Sequence, residues 1–270
     1  MKDFFNKMFG AGNDIMIAKQ DWMFNYKHLI IVFCIMAFVI FFSMLYFRKK
    51  FKTQKIFLIL SAVFLILFEA ARMIWNYFHL KQTSAPNALD IMGLDLFVVS
   101  NWLSIIFLIV VAIIGHKRRI SQLMLNYIFT VTAVAAIINI AYPDGLIETL
   151  PIYHIYNLQF LFSRAIILLV ALFLGATDWL DNSLDDVWMA ILNLIFMFGL
   201  GAAIFYGSGE LVDIIFIKDC YILAELGINV NSPWHIFIVS MFFFGIQVLM
   251  YLPFDVYRKI KYRNWKPAKF

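Results

Sequence analysis

Residues 56–79, "IFLILSAVFLILFEAARMIWNYFH", are apolar enough to cross a bilayer, yet they contain Glu69 and Arg72. A membrane-spanning helix needs about 20 predominantly apolar residues, so this stretch is long enough to be one. A charged side chain near the centre of a bilayer costs roughly 2.5–3.5 kcal/mol on insertion scales. Two such charges three residues apart therefore predict a polar site that is buried inside a membrane protein.

The whole chain has the composition of an integral membrane protein. Of its 270 residues, 63% are hydrophobic and 14% are charged, against about 45–50% and about 25% in soluble domains. The net charge of +5 does not predict nucleic-acid binding, because the positive residues flank apolar segments, where they orient helices and contact anionic lipid. The glycine-rich stretch 198–209 follows no predicted strand, so no nucleotide or other cofactor is expected.

Seven apolar segments predict an all-α, polytopic bundle of about seven transmembrane helices. The basic regions 48–55, 117–119 and 257–270 carry five, three and six positive residues, and seven spans place all three on one side. The positive-inside rule makes that side cytoplasmic, which puts the C-terminus inside and the N-terminus outside. The segments lie at about 28–47, 56–79, 90–114, 121–141, 155–175, 187–206 and 234–254.

These segments also predict the domain organisation. Residues 1–27 contain several Phe and Met residues beside lysines and are expected to form an N-terminal interfacial segment. Residues 28–256 form the seven-helix transmembrane domain, in which the charged stretch 207–233 is an outer amphipathic loop. Residues 257–270 form a basic cytoplasmic tail, and the protein is expected to lie in a cell membrane.

The predicted topology places several polar side chains at overlapping depths in the membrane. A rise of about 1.5 Å per residue places Glu69 and Arg72 near mid-membrane on one face of the second helix. Asn101 on the third helix and Asn139 on the fourth add amides nearby. The formal charges of the two acids, Glu69 and Asp95, and of the two arginines, Arg72 and Arg164, sum to zero. The predicted ligand-binding residues are Glu69, Arg72, Asn76, Asp95, Gln159 and Arg164.

Two interpretations fit this convergence, and both can hold together. In one, the acids pair with the arginines and pin the bundle, as intramembrane ionisable groups usually do. In the other, an outward-open polar cavity uses Arg72 and Arg164 to hold an anionic headgroup, carboxylate or phosphate, because the planar guanidinium suits such bidentate contacts.

The histidines and cysteines predict no metal site. His28, His79, His154 and His235 map to the outer face, where an amphipathic imidazole is at home near the headgroups. No pair of them has the i, i+3 or i+4 spacing of a helical site, and a metal site needs three converging ligands. The two cysteines, Cys34 and Cys220, provide neither a disulfide framework nor a metal-ligand spacing.

Three stretches of the chain carry a resemblance to a known family. They are "DWMFNYKHLIIVF" (21–33), "YHIYNLQFLFSRAIILLVALFLG" (153–175) and "SPWHIFIVSMFFFGIQVLMYLPF" (232–254). The matching residues are His28, Leu29, His154, Gln159, Phe160, Ser163, Leu252, Pro253 and Phe254. On these residues the chain resembles the YwaF-like family of bacterial multi-pass membrane proteins. The first stretch is similar to the family's lead into a first helix that begins His-Leu, the second to its best-marked helix and the third to its closing helix.

The resemblance implies a shared scaffold in a bacterial cell membrane and lipids as partners. Eukaryotic relatives of the family are acyltransferases that use a cysteine and a histidine, but residues 88–97 contain neither, and Arg164 replaces the histidine of the fifth helix. Without a thiolate, the acyl-enzyme route is closed. Whether this chain catalyses a reaction stays open, and Asp95 and His154 are the residues that would replace the usual pair.

The sequence thus predicts a pocket, diverged from the acyltransferases, for a lipid or another amphiphilic anion. One alternative is a solute transporter or the substrate-capturing subunit of an importer. Another is a non-catalytic subunit of a membrane complex, with a membrane-protein partner or a second copy packed against the small residues Gly199, Gly201 and Ala202.

Overall fold

Helices make up most of the residues that the computed structural model describes, which are 26–47, 50–83, 88–141, 154–181, 184–209, 211, 213 and 234–261. No strand occurs in these residues, so the all-α prediction is confirmed for them. The helices are α1 (Tyr26–Phe47), α2 (Phe51–Thr83), α3 (Ala88–Met92), α4 (Leu96–Ile114), α5 (Arg119–Tyr127, continued by Ile128–Thr132 and Ala133–Ala141), α6 (Ile155–Ala176), α7 (Val187–Gly207) and α8 (Trp234–Lys261).

Among the described residues, six helices are long and apolar enough to cross a membrane, so the chain is a multi-pass membrane protein. They are α2 and the helices α4 to α8. Within α1, the apolar stretch Ile30–Phe42 is shorter, so the seventh span and the orientation of the termini stay predictions. Large apolar side chains such as Phe33 and Ile113, which are 74% and 77% exposed, cover the outside of the bundle, as contact with lipid tails requires.

The predicted third span, 90–114, is wrong as one continuous helix. The short α3 ends at Met92, Gly93 adopts a φ of +49°, and α4 begins only at Leu96. A left-handed backbone is readily adopted by glycine and ends a helix. Asp95, which the predicted span includes, instead caps the N-terminus of α4 by accepting the Val98 N–H at 2.6 Å.

A π-helical turn, Ile128–Thr132, interrupts the regular pattern of α5. The Thr132 hydroxyl lies 2.7 Å from Ser104 Oγ and donates to the Ser100 carbonyl at 3.3 Å. The extra residue of a π-turn rotates the following part of a helix relative to the preceding part. The α5 segment beyond the turn thereby carries Asn139 toward α6.

Ring contacts define the two ends of the bundle. At one end, which we call the basic end, Phe51 stacks on Trp179 at 4.7 Å and His116 packs 4.8 Å from the same indole. At the other, the histidine end, Trp75 stacks on His79 at 4.8 Å and meets His154 at 5.2 Å. The exposed Lys and Arg residues that begin α2 and α5 lie at the basic end, as the predicted topology requires.

Several predictions fall wholly or largely outside the described residues. These are residues 1–25 of the interfacial segment 1–27, most of the loop 207–233, residues 262–270 of the tail 257–270, and the side chains of His28 and His235. The described part of the predicted tail is still helical, because α8 continues past residue 256 to Lys261.

Candidate functional site

Glu69 and Arg72 form a buried ion pair on one face of α2. The Arg72 Nε atom donates to Glu69 Oε2 at 2.9 Å, and Nη2 lies 2.9 Å from the same oxygen. Glu69 is 0% exposed and Arg72 4%. Their spacing of three residues sets the two side chains side by side, because residues three apart are neighbours on a helix.

The carbonyl groups at the end of α3 complete the environment of Arg72. Arg72 Nη2 donates to the Met92 carbonyl at 2.7 Å, and Nη1 donates to the Gly93 carbonyl at 3.4 Å. Asn76 Nδ2 donates to the Ile91 carbonyl at 3.1 Å. The last carbonyls of a helix lack partners within it and carry partial negative charge, so a cation is favoured there.

Asn101 closes this network from α4. Its Nδ2 atom donates to Glu69 Oε1 at 2.8 Å, so both oxygens of Glu69 have a partner. All three nitrogen atoms of Arg72 also have one. The Glu69–Arg72 group is therefore a closed network that fixes α2, α3 and α4 to one another, which agrees with the structural interpretation of these two residues.

Arg164 has a different environment. Its guanidinium carbon lies 4.0 Å from the centroid of the Phe97 ring and 3.7 Å from that of Phe160. Its Nη2 atom donates to Asn139 Oδ1 at 2.8 Å, and Nη1 donates to Ser163 Oγ at 3.1 Å. Arg164 is only 3% exposed, and no carboxylate among the described residues lies within 4 Å of it.

Several buried polar atoms, one of them on Arg164, are left without a partner among the described residues. They are Arg164 Nε, both amide atoms of Gln159, and Asn101 Oδ1. Gln159 is 1% exposed and Asn101 0%. A buried polar group with no hydrogen bond costs about 1–3 kcal/mol, so each of these atoms calls for a partner.

Asp95 interacts with this group through its charge and makes no ion pair within 4 Å among the described residues. Arg164 and Arg72 both act electrostatically on its carboxyl group. Burial raises the pKa of Asp95, and Arg164, the Val98 N–H and Arg72 oppose that rise. The expected pairing of Asp95 with one arginine is therefore wrong as a direct contact, because the carboxylate is used to cap α4.

His154 caps the N-terminus of α6. Its Nδ1 atom accepts the Tyr156 N–H at 3.1 Å, and the residue is 0% exposed. A neutral imidazole whose Nδ1 atom accepts a hydrogen bond carries its proton on Nε2. The two residues proposed as a catalytic pair, Asp95 and His154, thus share the role of helix N-caps.

Gly93 and the α3 carbonyls, which hold Arg72 and Asn76, were not predicted from the sequence. A Cβ atom at Gly93 would lie 2.9 Å from Arg72 Nη1 and 3.2 Å from Asn76 Nδ2. One signal for this break was present, since glycine followed two residues later by Asp before an apolar run is typical of a helix end and a new N-cap. Within the described chain, no group of His, Cys, Asp or Glu side chains could hold a metal ion.

Comparisons with protein-family models, with curated proteins and with solved structures give no match. Membership of the YwaF-like family therefore stays a prediction from the residues quoted above. The observations that bear on function are the contacts of Arg164 and the unpartnered amide of Gln159.

Proposed function

We propose that this chain is a YwaF-like protein of the bacterial cell membrane that binds the anionic group of a lipid or another amphiphile beside Arg164. The supporting observation is that Arg164, 3% exposed, hydrogen-bonds only to neutral groups while its Nε atom has no partner. The proposal assigns binding and does not include a reaction.

Arg72 and Arg164 differ in whether a direct counter-charge offsets the cost of burying the guanidinium. A buried ion is stable when it is paired and hydrogen-bonded. Arg72 has the Glu69 carboxylate at 2.9 Å. Arg164 feels the charges of Asp95 and Glu69 only at longer range, so an anion in direct contact with its guanidinium would supply the missing counter-charge.

The geometry around Arg164 limits how a ligand can approach. Phe97 and Phe160 lie against its guanidinium. Nη1 donates to Ser163 Oγ and to the Phe160 carbonyl, and one N–H of Nη2 donates to Asn139. Its Nε edge is the part left for a ligand. A carboxylate or phosphate oxygen accepts such a donor well, and the Gln159 amide offers a further donor and an acceptor.

Thermal unfolding in dodecyl maltoside micelles tests this proposal. A ligand that binds the folded state at 100 times its dissociation constant stabilises it by about 2.7 kcal/mol. We expect phosphatidylglycerol or oleate to raise the Tm of the wild-type protein, and phosphatidylcholine to leave it unchanged. Arg164→Gln should abolish the shift, whereas Lys81→Gln, which removes an exposed charge from the same end of the bundle, should retain it.

A second variant, Gln159→Leu, keeps the proposal testable if Arg164→Gln does not fold. Gln159→Leu leaves Arg164 and its ring contacts in place and removes only the unpartnered amide. We expect it to fold and to weaken the lipid-dependent shift. Equal shifts in the wild type, Gln159→Leu and Arg164→Gln would overturn the proposal.

A further inference from the structure

A second group of buried polar side chains lies between α5, α7 and α8. Asn193 Nδ2 donates to Asn126 Oδ1 at 3.0 Å and to the Leu123 carbonyl at 3.2 Å. Thr130 Oγ1 donates to the Asn126 carbonyl at 2.8 Å. Asn126 Nδ2 donates to the hydroxyl oxygen of Tyr251 on α8. This group is separate from Arg164, and all of its side chains are neutral.

These bonds leave the hydroxyl proton of Tyr251 without an acceptor. Because Asn126 Oδ1 receives the amide of Asn193, the Asn126 amide is oriented with its nitrogen toward Tyr251. The Tyr251 oxygen is then an acceptor in that bond, and its own O–H must donate elsewhere. No described residue accepts it, although Tyr251 is 0% exposed.

Gln247 lies one helical turn before Tyr251 on the same buried face of α8. Both of its amide atoms lack a partner among the described residues, and the side chain is 0% exposed. That face repeats every four residues, through Val239, Phe243, Gln247, Tyr251 and Asp255, all of them buried. An amide and a hydroxyl with unmet hydrogen bonds therefore lie side by side inside the bundle.

We propose that Gln247 and Tyr251 form a second binding site, which takes a small neutral molecule through a hydroxyl group. A hydroxyl oxygen accepts the Tyr251 proton, and the same group pairs with the Gln247 amide, which offers both a donor and an acceptor. The side chains that would contact the guest carry no charge, and Asp186 acts electrostatically on Tyr251, so an uncharged guest is favoured over an anion. Internal water and a small polyol such as glycerol share this chemistry.

A double-mutant cycle in thermal unfolding tests the site. Gln247 and Tyr251 share no hydrogen bond with each other, so a guest bound to both would couple them. We expect Gln247→Met and Tyr251→Phe each to lower the Tm, and the double variant to lose less than the sum of the two, by about 2 °C or more. Tyr251→Phe also removes the hydrogen bond from Asn126. It does so both in the wild type and in Gln247→Met, so this loss cancels in the coupling between the two changes.

A control cycle removes the contribution of packing. Phe243→Leu combined with Gln247→Met pairs two residues at the same spacing on the same face of α8, but Phe243 has no hydrogen-bonding group. This cycle reports the coupling that packing alone produces, and it should be smaller than the coupling between Gln247 and Tyr251. Gln247→Met keeps nearly the same side-chain volume, so the bundle should fold.

The identity of the guest follows from the response to glycerol. A larger glycerol-dependent rise in Tm for the wild type than for Gln247→Met would identify a polyol, and equal rises would identify water. A coupling in the Gln247–Tyr251 cycle that is no larger than in the control cycle would overturn the proposal. A higher Tm for Gln247→Met would also overturn it, since removing a truly orphaned amide stabilises a protein.

Discussion

Arg72 and Arg164 lie in the same buried polar layer, but their partners give them different roles. Arg72 is held by Glu69 and by the carbonyls of Met92 and Gly93, with no nitrogen left over. Arg164 lies against two phenyl rings and keeps an unpartnered Nε atom. At the scale of single residues, Arg72 is therefore structural and Arg164 is the residue that a ligand would contact.

We predict that Glu69→Gln is strongly destabilising. It leaves the Arg72 cation buried without its carboxylate, and breaking a buried pair from one side costs about 3–5 kcal/mol. The double variant Glu69→Gln/Arg72→Met should cost less than Glu69→Gln alone, because no unpaired charge remains. The free energy of unfolding, measured by SDS titration in mixed micelles, checks this. A double variant that is less stable than Glu69→Gln would refute it.

A second prediction concerns Gly93, whose φ is +49°. Gly93→Ala places a methyl group against Arg72 Nη1 and adds about 1–2 kcal/mol of left-handed backbone strain. The control is Gly209→Ala, with a φ of +67° and no atom within 4 Å of the added Cβ, which bears the strain alone. Gly93→Ala should be the more destabilising of the two in the same SDS titration. Equal losses would show that the contact with Arg72 contributes nothing.

The residues of this layer were only partly predictable. Charges inside an apolar run and the helical offset of three residues were enough to bring Glu69, Arg72 and Arg164 to similar depths. The partner of each charge was not predictable, because it depends on the break at Gly93, which turns the end of α3 toward Arg72. Asp95 was misplaced for the same reason, since a carboxylate at a helix start satisfies backbone N–H groups first.

At the scale of elements, close approaches between helices set the packing of the bundle. Gly175 on α6 lies beneath the ring of Phe254 on α8, and a Cβ at Gly175 would lie 2.6 Å from that ring. Gly199 on α7, against which a partner protein or a second copy was expected to pack, has nothing within 4 Å of its Cβ position in the single chain and faces outward. The sequence shows where the small residues lie, but only the packed structure shows that Gly175 contacts another helix and that Gly199 does not.

Matched alanine substitutions test this difference. Gly175→Ala should destabilise the protein by about 1–3 kcal/mol, the usual cost of overpacking. Gly199→Ala should be neutral or stabilising by up to about 1 kcal/mol, because alanine is the better helix former. Circular dichroism during SDS titration measures both. Similar effects of the two changes would contradict the packing of α6 on α8.

At the scale of the whole molecule, hydropathy was the reliable signal, because six described helices are long and apolar enough to span a membrane. The contacts of Phe51, His116 and Trp179 gather the basic helix ends together. Length alone leaves α1 ambiguous, since the apolar part that can be assigned, Ile30–Phe42, is short. The side of the membrane on which the N-terminus lies therefore depends on whether α1 crosses.

Reporter fusions resolve this point. We predict that green fluorescent protein fused after Phe270 fluoresces, because the C-terminus is cytoplasmic under the positive-inside rule. An epitope tag before Met1 should react with antibody in intact spheroplasts, because seven spans place the two termini on opposite sides. A tag that is accessible only after permeabilisation would mean that α1 does not cross the membrane.

The most direct test of the central claim is native mass spectrometry of the protein ejected from micelles that contain phosphatidylglycerol and phosphatidylcholine. We predict that the wild type and Lys81→Gln retain a phosphatidylglycerol molecule at collision energies that remove phosphatidylcholine. Arg164→Gln should lose both lipids at the same energy, because its counter-charge for the phosphate is gone. Equal retention of phosphatidylglycerol by the wild type and Arg164→Gln would contradict an anion site at Arg164.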